Sequence, residues 1–166
     1  MKLTREPIGK YGGVARLGNR SDYPELPSHA LVSITCFQHI GLIRALVNIL
    51  YTNIILMPGL LRTSGLLLGE FYGDLSRLDE GLIITVWQGR SMVNYRDTGA
   101  HGWAVRHLTR LIFGGTGQAF FLTYAPKNGQ IPDADDARAL ALKHGKMMMG
   151  AVTMRANPIP PRRRPL

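Results

Sequence analysis

The sequence contains a single cysteine, Cys36, among its 166 residues. One thiol permits neither an internal disulfide nor a metal site built from cysteines. Cys36 falls within a predicted strand, which favours a small buried thiol over a reactive nucleophile.

Acidic residues are also few, with 11 Asp and Glu against 20 Lys and Arg, and the formal net charge is +9. Much of the basic excess lies in the two tails, where the chain ends in the Pro- and Arg-rich segment PIPPRRRPL. The chain has no helix-turn-helix signature, no RNP-like strand and no array of basic residues interleaved with aromatics. The sequence therefore predicts no specific nucleic acid as partner. It predicts at most a weak, salt-sensitive contact of the tails with a polyanion or a membrane surface.

Several catalytic signatures are missing as well. There is no Ser-His-Asp order, no paired-carboxylate pattern, no dinucleotide fingerprint and no multi-histidine metal spacing. The GGTG at residues 114–117 follows a helix and lacks the Lys-Ser/Thr ending of a phosphate loop. These absences disfavour hydrolase and nicotinamide chemistry. The first residues have no apolar core, so no secretory signal is expected, and a cytoplasmic location is the default prediction.

What remains is an ordinary globular composition, 45% hydrophobic with a mean hydropathy of −0.01. It predicts an irregular N-terminal arm over residues 1–28, rich in Gly, Pro and charge. A ferredoxin-like domain is expected over residues 29–126. Residues 127–166 are expected to hold a short helix and a Pro/Arg-rich tail; Asp133 caps that helix, which runs through His144 and is closed by Gly145.

Four segments of the central domain are typical of strands, because they are rich in β-branched and aromatic residues. They are residues 29–37, 66–72, 82–87 and 118–125. Residues 40–61, the most apolar segment, are long enough to cross a membrane. Arg44, Asn48 and Thr52 nevertheless form one polar stripe along it, which favours an amphipathic helix packed on a sheet over membrane contact.

The predicted order is β-α-β-β-α-β, the ferredoxin-like α+β arrangement with a four-stranded antiparallel sheet. The strands are apolar on both sides, whereas two helices cover only one face of such a sheet. The other face is most simply covered by the same sheet of a second subunit, so the pattern predicts a homodimer.

The second helix of this order is predicted after Gly99. At about 100° per residue, His101 lies in the middle of its apolar side, together with Ala104, Val105, Leu108, Leu111 and Ile112. An unpaired buried polar group costs about 1–3 kcal/mol, so an inward imidazole needs a partner. His101 is therefore either a site residue or a hydrogen-bonded core histidine. His107, at the edge of the apolar side, is interpreted as structural.

The segment TVWQGRSMVNYRDTGAH, residues 85–101, resembles the dimeric α+β barrel superfamily of antibiotic-biosynthesis-monooxygenase-like proteins. The matching positions are Thr85-Val86-Trp87 and Gly99-Ala100-His101, and Gln88 departs from the acidic residue that many members carry. MPGLLRTSG, residues 57–65, is similar to the haem-containing spheroidene-monooxygenase-like branch.

The resemblance implies a dimeric α+β barrel with a pocket between sheet and helices for an apolar or aromatic small molecule or haem. His101 would be the catalytic proton-transfer group or the iron ligand, and the cofactor would be haem or none. Trp87 would wall the pocket, or be a core aromatic. Asn94 and Tyr95 would line its mouth, or be solvent-facing turn residues. The implied activity is that of a monooxygenase, an oxidoreductase; the alternative is a non-catalytic binding or scaffold protein whose basic tails contact a membrane or an acidic partner.

Overall fold

The computed structural model describes residues 3–8, 12–38, 42–73, 80–89, 91–97, 102, 118–126, 128–149 and 153–155. These residues form an α+β structure around one antiparallel sheet, which confirms the predicted fold class. The predicted size of the sheet is wrong, because it has eight strands rather than four. Their spatial order is β1-β2-β4-β5-β3-β6-β7-β8. The strands are β1 Leu3–Ile8, β2 Gly12–Leu17, β3 Ala30–Gln38, β4 Leu66–Tyr72, β5 Gly81–Gln88, β6 Gln118–Tyr124, β7 Lys146–Met149 and β8 Thr153–Arg155.

The four strands expected from the sequence occupy the centre, in the order β4-β5-β3-β6, and every neighbouring pair is antiparallel. β5 lies between β3 and β4, so the crossover from β3 to β4 passes over one strand. The segment from β3 to β4 is therefore a split βαβ unit. The helix expected between β5 and β6, around His101, lies outside the described residues.

Residues 1–28 were predicted to form an irregular arm. This prediction is wrong for β1 and β2, because these two strands form an antiparallel hairpin. β2 continues the sheet by pairing with β4, from Val14 opposite Tyr72 to Leu17 opposite Gly69. Both strands are short and rich in Gly, Pro and charge, as is common at sheet edges. The second partner of β2, the strand β4, lies more than fifty residues away, and local periodicity does not reveal such a pairing.

The opposite edge is built by the C-terminal segment. Helix α4, Ala134–His144, follows Asp133, whose carboxylate accepts a 2.8 Å hydrogen bond from the Asp136 backbone N–H. Gly145 follows the helix, as the capping residues predicted. The chain then turns into β7, which pairs with β6.

The first helix is continuous from residue 42 to residue 61 in three parts: α1 Leu42–Tyr51, a π-helical segment Thr52–Leu56, and α2 Met57–Leu61. In the π-helical segment the Met57 N–H bonds to the Thr52 carbonyl, five residues earlier. Pro58 has no N–H and its ring crowds the carbonyl four residues before it, and one wide turn accommodates it inside a helix. The described residues include no helix that is both long and apolar enough to cross a membrane.

Each face of the sheet has its own core. One face, here the α4 face, packs against α4 through two fully buried alanines, Ala137 and Ala141. The other, here the α1 face, packs against Leu56, Met57 and Leu60 of the first helix. The α4 face is thus covered within a single chain. Homodimerisation stays a prediction, but an uncovered sheet face no longer argues for it.

Candidate ligand site between the sheet and the first helix

Trp87, near the end of β5, is the centre of the α1 face and is 1% exposed. Residues two apart on a strand share a face. The Trp87 indole Nε1 accordingly donates a 2.8 Å hydrogen bond to the Thr85 hydroxyl on the same face. The large apolar ring is therefore buried with its one polar atom satisfied, and its orientation is fixed.

Tyr95 completes an aromatic pair with Trp87. Their ring centroids are 5.2 Å apart, with the planes tilted by 30°. Tyr95 lies on helix α3, Ser91–Asp97, whose first residue is held in place by its own hydroxyl. Ser91 Oγ donates to the Gln88 carbonyl at 2.7 Å and lies 3.3 Å from the Gly65 carbonyl. The ends of β4 and β5 thereby fix the start of α3 and, with it, the Tyr95 ring.

Tyr51 brings the first helix into the same cluster. It packs against the α1 face core, and its hydroxyl oxygen is buried with no hydrogen-bond partner among the described residues. Burial raises the pKa of the Tyr51 phenol to about 12. Burial, with a smaller contribution from Tyr51, also raises the pKa of the Tyr95 phenol. Both phenols are therefore neutral at physiological pH and serve as hydrogen-bond donors rather than bases.

Hydroxyl groups also lie on the same face of the sheet as Trp87. Ser33 is opposite Thr85 on one side and opposite Thr123 on the other, so the three residues form a row across β5, β3 and β6. Ser33 and Thr85 are buried, and the Thr123 hydroxyl lies 3.8 Å from the Met92 sulfur of α3. This face therefore combines aromatic walls with small neutral polar groups, as ligand-binding surfaces do.

The described residues of this site include no carboxylate and no imidazole. They suit the orientation of a neutral, largely apolar molecule through hydrogen bonds. No group of three or more His, Cys, Asp or Glu among the described residues is placed to hold a metal ion.

The sequence predictions for this site meet different outcomes. Trp87 and Tyr95 lie together, buried and half-buried respectively. Asn94 is exposed on α3. His101 lies outside the described residues. Tyr51 and Thr85 were not predicted, although Thr85 is two residues before Trp87 and so shares its face.

A second polar cluster lies on the α4 face around Glu70, which is 0% exposed. Its Oε1 accepts from Arg20 Nε at 2.8 Å and from Arg16 Nε at 3.2 Å. Its Oε2 accepts from Arg20 Nη2 at 2.7 Å and from the Tyr72 hydroxyl at 2.9 Å. Burial alone would raise the pKa of Glu70, but these partners, Arg20 above all, hold it below its ordinary value.

Arg20 also links this cluster to the segment before α4. Its guanidinium donates to the backbone carbonyls of Pro132 at 2.8 Å and Ile131 at 3.3 Å. The carboxylate is thus saturated with donors, and its arginines tie separate segments together. We interpret the Glu70 cluster as a structural centre rather than a binding site.

Cys36 is 1% exposed on the α4 face, in agreement with the prediction of a buried thiol. Burial raises the pKa of this thiol, and a protonated thiol is a poor nucleophile.

No protein-family model matches the chain, and no curated protein matches it. Among solved structures, the chain is similar to one described as a "Putative monooxygenase" from Fusobacterium nucleatum subsp. nucleatum ATCC 25586. The two share 15% sequence identity with a TM-score of 0.47, and the match covers 64% of this chain. It spans only 49% of the other chain, about half its length. A similarity at this level identifies no family and assigns no activity.

Proposed function

We propose that the protein binds an apolar or aromatic small molecule between the α1 face of the sheet and the first helix, as a monooxygenase-like protein. The observation that carries the binding proposal is the buried Tyr51 hydroxyl, which has no hydrogen-bond partner within the described part of the chain. A buried polar group left unpaired costs about 1–3 kcal/mol. A ligand oxygen that accepts this hydrogen bond recovers that cost on binding.

The surroundings of Tyr51 define the chemical class of the ligand. The buried aromatic pair of Trp87 and Tyr95 makes these surroundings apolar, which suits a flat ring system. The row of Ser33, Thr85 and Thr123 offers neutral hydroxyls and no charge. A planar molecule with one carbonyl or hydroxyl oxygen therefore suits the site better than an ionised one, whose charge would be desolvated without compensation.

The monooxygenase part of the proposal rests on the sequence resemblance and on His101. Two phenols with raised pKa values orient a substrate but do not remove a proton from it at neutral pH. Proton transfer is thus assigned to His101 in this proposal, and so is iron ligation if haem is the cofactor. Haem titration discriminates these roles. An iron ligand gives a shift of the haem Soret band that the His101→Ala variant loses, whereas a proton-transfer group gives no shift that depends on His101.

Binding is tested with two probes of the same shape, 9-fluorenone and fluorene, which differ by one carbonyl oxygen. Tryptophan fluorescence quenching measures the affinity of each for the native protein and for Tyr51→Phe. We expect the native protein to favour fluorenone by about three- to tenfold, the value of one neutral hydrogen bond. Tyr51→Phe removes the donor and should abolish this preference while leaving the affinity for fluorene unchanged.

Tyr124→Phe is the matched control, because Tyr124 is a half-buried tyrosine associated with the α4 face core. It should leave the preference for fluorenone as it is in the native protein. If neither probe binds, or if the preference persists in Tyr51→Phe, the proposed site is wrong.

The alternative is a binding protein of the same fold that performs no catalysis. It is favoured by the neutral character of the described site residues. It predicts that probe binding requires Tyr51 and the aromatic pair, whereas His101→Ala changes neither binding nor any oxygen consumption in the presence of ligand. A further expectation of this alternative is that the tails hold the protein to polyanions, so that removing residues 158–166 weakens heparin binding.

A further inference from the structure

The outward side of the first helix carries a continuous row of exposed apolar side chains. Ile43 is 79% exposed and Ile54 67% exposed. Leu42, Leu46, Leu50 and Ile54 follow one another at four-residue intervals, so they are neighbours on one side of a helix. We call this surface the outer stripe, and its residues are Leu42, Ile43, Leu46, Leu50, Ile54 and Leu61.

The core does not account for this stripe. The same helix buries a different set of residues toward the sheet, namely Ala45, Leu56, Met57 and Leu60. Asn48 and Thr52, expected as a polar stripe on this helix, are half-buried instead. The helix therefore turns large aliphatic side chains to the outside, and a contiguous apolar patch of this kind marks an interaction surface.

The helix that carries the outer stripe contains no acidic residue, and exposed arginines lie beside it. No Asp or Glu occurs between Glu25 and Glu70 in the sequence. Arg62 is exposed directly after Leu61. At the middle of the helix, the exposed Arg5 of β1 donates a 3.1 Å hydrogen bond to Asn53, next to Ile54. Aliphatic side chains on a helix without carboxylates, with exposed arginines beside it, are complementary to anionic headgroups above an acyl layer.

We propose that the outer stripe docks on the surface of a lipid bilayer that contains anionic lipids. Ile43, Leu50 and Ile54 enter the boundary between headgroups and acyl chains, while Arg5 and Arg62 contact lipid phosphates. A second copy of the chain is the less suitable occupant, because a two-fold interface would bring the same arginines together in a protein of net charge +9. This inference concerns the outside of the helix and holds whether or not the inner site binds a ligand.

Vesicle flotation tests the proposal with the full chain. Vesicles of phosphatidylcholine are compared with vesicles of phosphatidylcholine and phosphatidylglycerol, for the native protein and for the triple variant Ile43→Gln, Leu50→Gln, Ile54→Gln. We expect the native protein to partition to the anionic vesicles, and the triple variant to do so at least about tenfold less. Val93→Gln is the matched control, since Val93 is 39% exposed on α3 outside the stripe, and it should partition as the native protein does.

A second measurement reports insertion directly and avoids dependence on the triple variant. Ile43→Cys and Val93→Cys are labelled with an environment-sensitive maleimide dye, and the buried Cys36 remains unlabelled in the folded protein. Anionic vesicles should shift the emission of the dye at residue 43 to the blue and leave that at residue 93 unchanged.

Two outcomes overturn the proposal. One is equal partitioning of the native protein and a folded triple variant, with no emission shift at residue 43. The other is a native dimer that binds no vesicles and becomes a monomer in the triple variant, which would assign the stripe to a second copy.

Discussion

Replacing Glu70 with glutamine tests how much of the stability depends on one buried charge. The native carboxylate accepts four hydrogen bonds, two of them from the Arg20 guanidinium. Glutamine has nearly the same shape, but it carries no charge and directs an NH₂ group at donors. Two arginines whose side chains are only 23% and 32% exposed would then lack their counterion.

Breaking a buried ion pair by removing one partner costs about 3–5 kcal/mol. Because the arginines are partly exposed, water recovers a part of this, and we expect about 3 kcal/mol for Glu70→Gln. In a domain of this size each kcal/mol corresponds to a shift of about 2–4 °C in Tm, so the Tm should fall by roughly 10 °C. Urea unfolding would give the free energy of unfolding, with an unchanged m-value as evidence that the same structure unfolds.

Glu80→Gln is the matched control, because the Glu80–Arg138 pair has a similar distance of 2.9 Å, but the Glu80 side chain is 26% exposed whereas that of Glu70 is 0% exposed. It should cost under about 1 kcal/mol.

The pH dependence supplies a second check. Since the folded-state pKa of Glu70 lies below its unfolded value, its contribution is complete above the unfolded pKa and is lost as the pH falls through the folded pKa. The difference between native protein and Glu70→Gln should therefore shrink in acid. If Glu70→Gln costs no more than Glu80→Gln at neutral pH, the structural role assigned to the cluster is wrong.

Two further predictions concern backbone positions. Gly65 has φ +84°, and a Cβ there would lie 2.6 Å from the Ser91 Cβ, so Gly65→Ala should cost about 2 kcal/mol or more in urea unfolding. At Gly89, with φ +57° and nothing within 4 Å of an added Cβ, the same substitution should cost only about 1 kcal/mol; equal costs would contradict the proposed contact. Asp133→Ala removes the N-cap of α4 and should cost about 1 kcal/mol in thermal unfolding followed by circular dichroism; an unchanged Tm would contradict the assigned cap.

The central strands could be predicted because local sequence determines them. β4 spans Leu66–Tyr72, the range expected, and β3, β5 and β6 differ from expectation by only one residue at either end. These strands lie in the middle of the sheet, where both faces are buried and the residues are accordingly apolar. The cap of α4 was predictable for a similar reason, since Asp133 acts on a backbone group three residues away.

The edge strands and half of the site were not predictable from local pattern. β2 can be recognised as a strand only through its pairing with β4. The burial of Glu70 in an apolar strand can be explained only through its ion pairs with arginines of the N-terminal segment. Trp87 was identified through the family resemblance, in which it is a matching position at the end of a strand. Tyr51, by contrast, was not identified. The helical period of the first helix selected Arg44, Asn48 and Thr52 as its polar positions, and Tyr51 is not one of them. The π-helical turn at Thr52–Leu56 departs from the 3.6-residue period of an α-helix, so a search for that period does not predict it.

The bonds of Arg20 also bear on the order in which the chain folds. Arg20 contacts Glu70 across 50 positions of sequence, and Ile131 and Pro132 across 111 and 112. During synthesis the hairpin of β1 and β2 emerges first, but β4, the strand that places it in the sheet, follows only after some fifty more residues. Arg20 cannot complete its contacts until the segment before α4 has been made. Contacts at such separations slow folding, and we expect the edge of the sheet that is translated earliest to be among the last parts to become protected from hydrogen exchange.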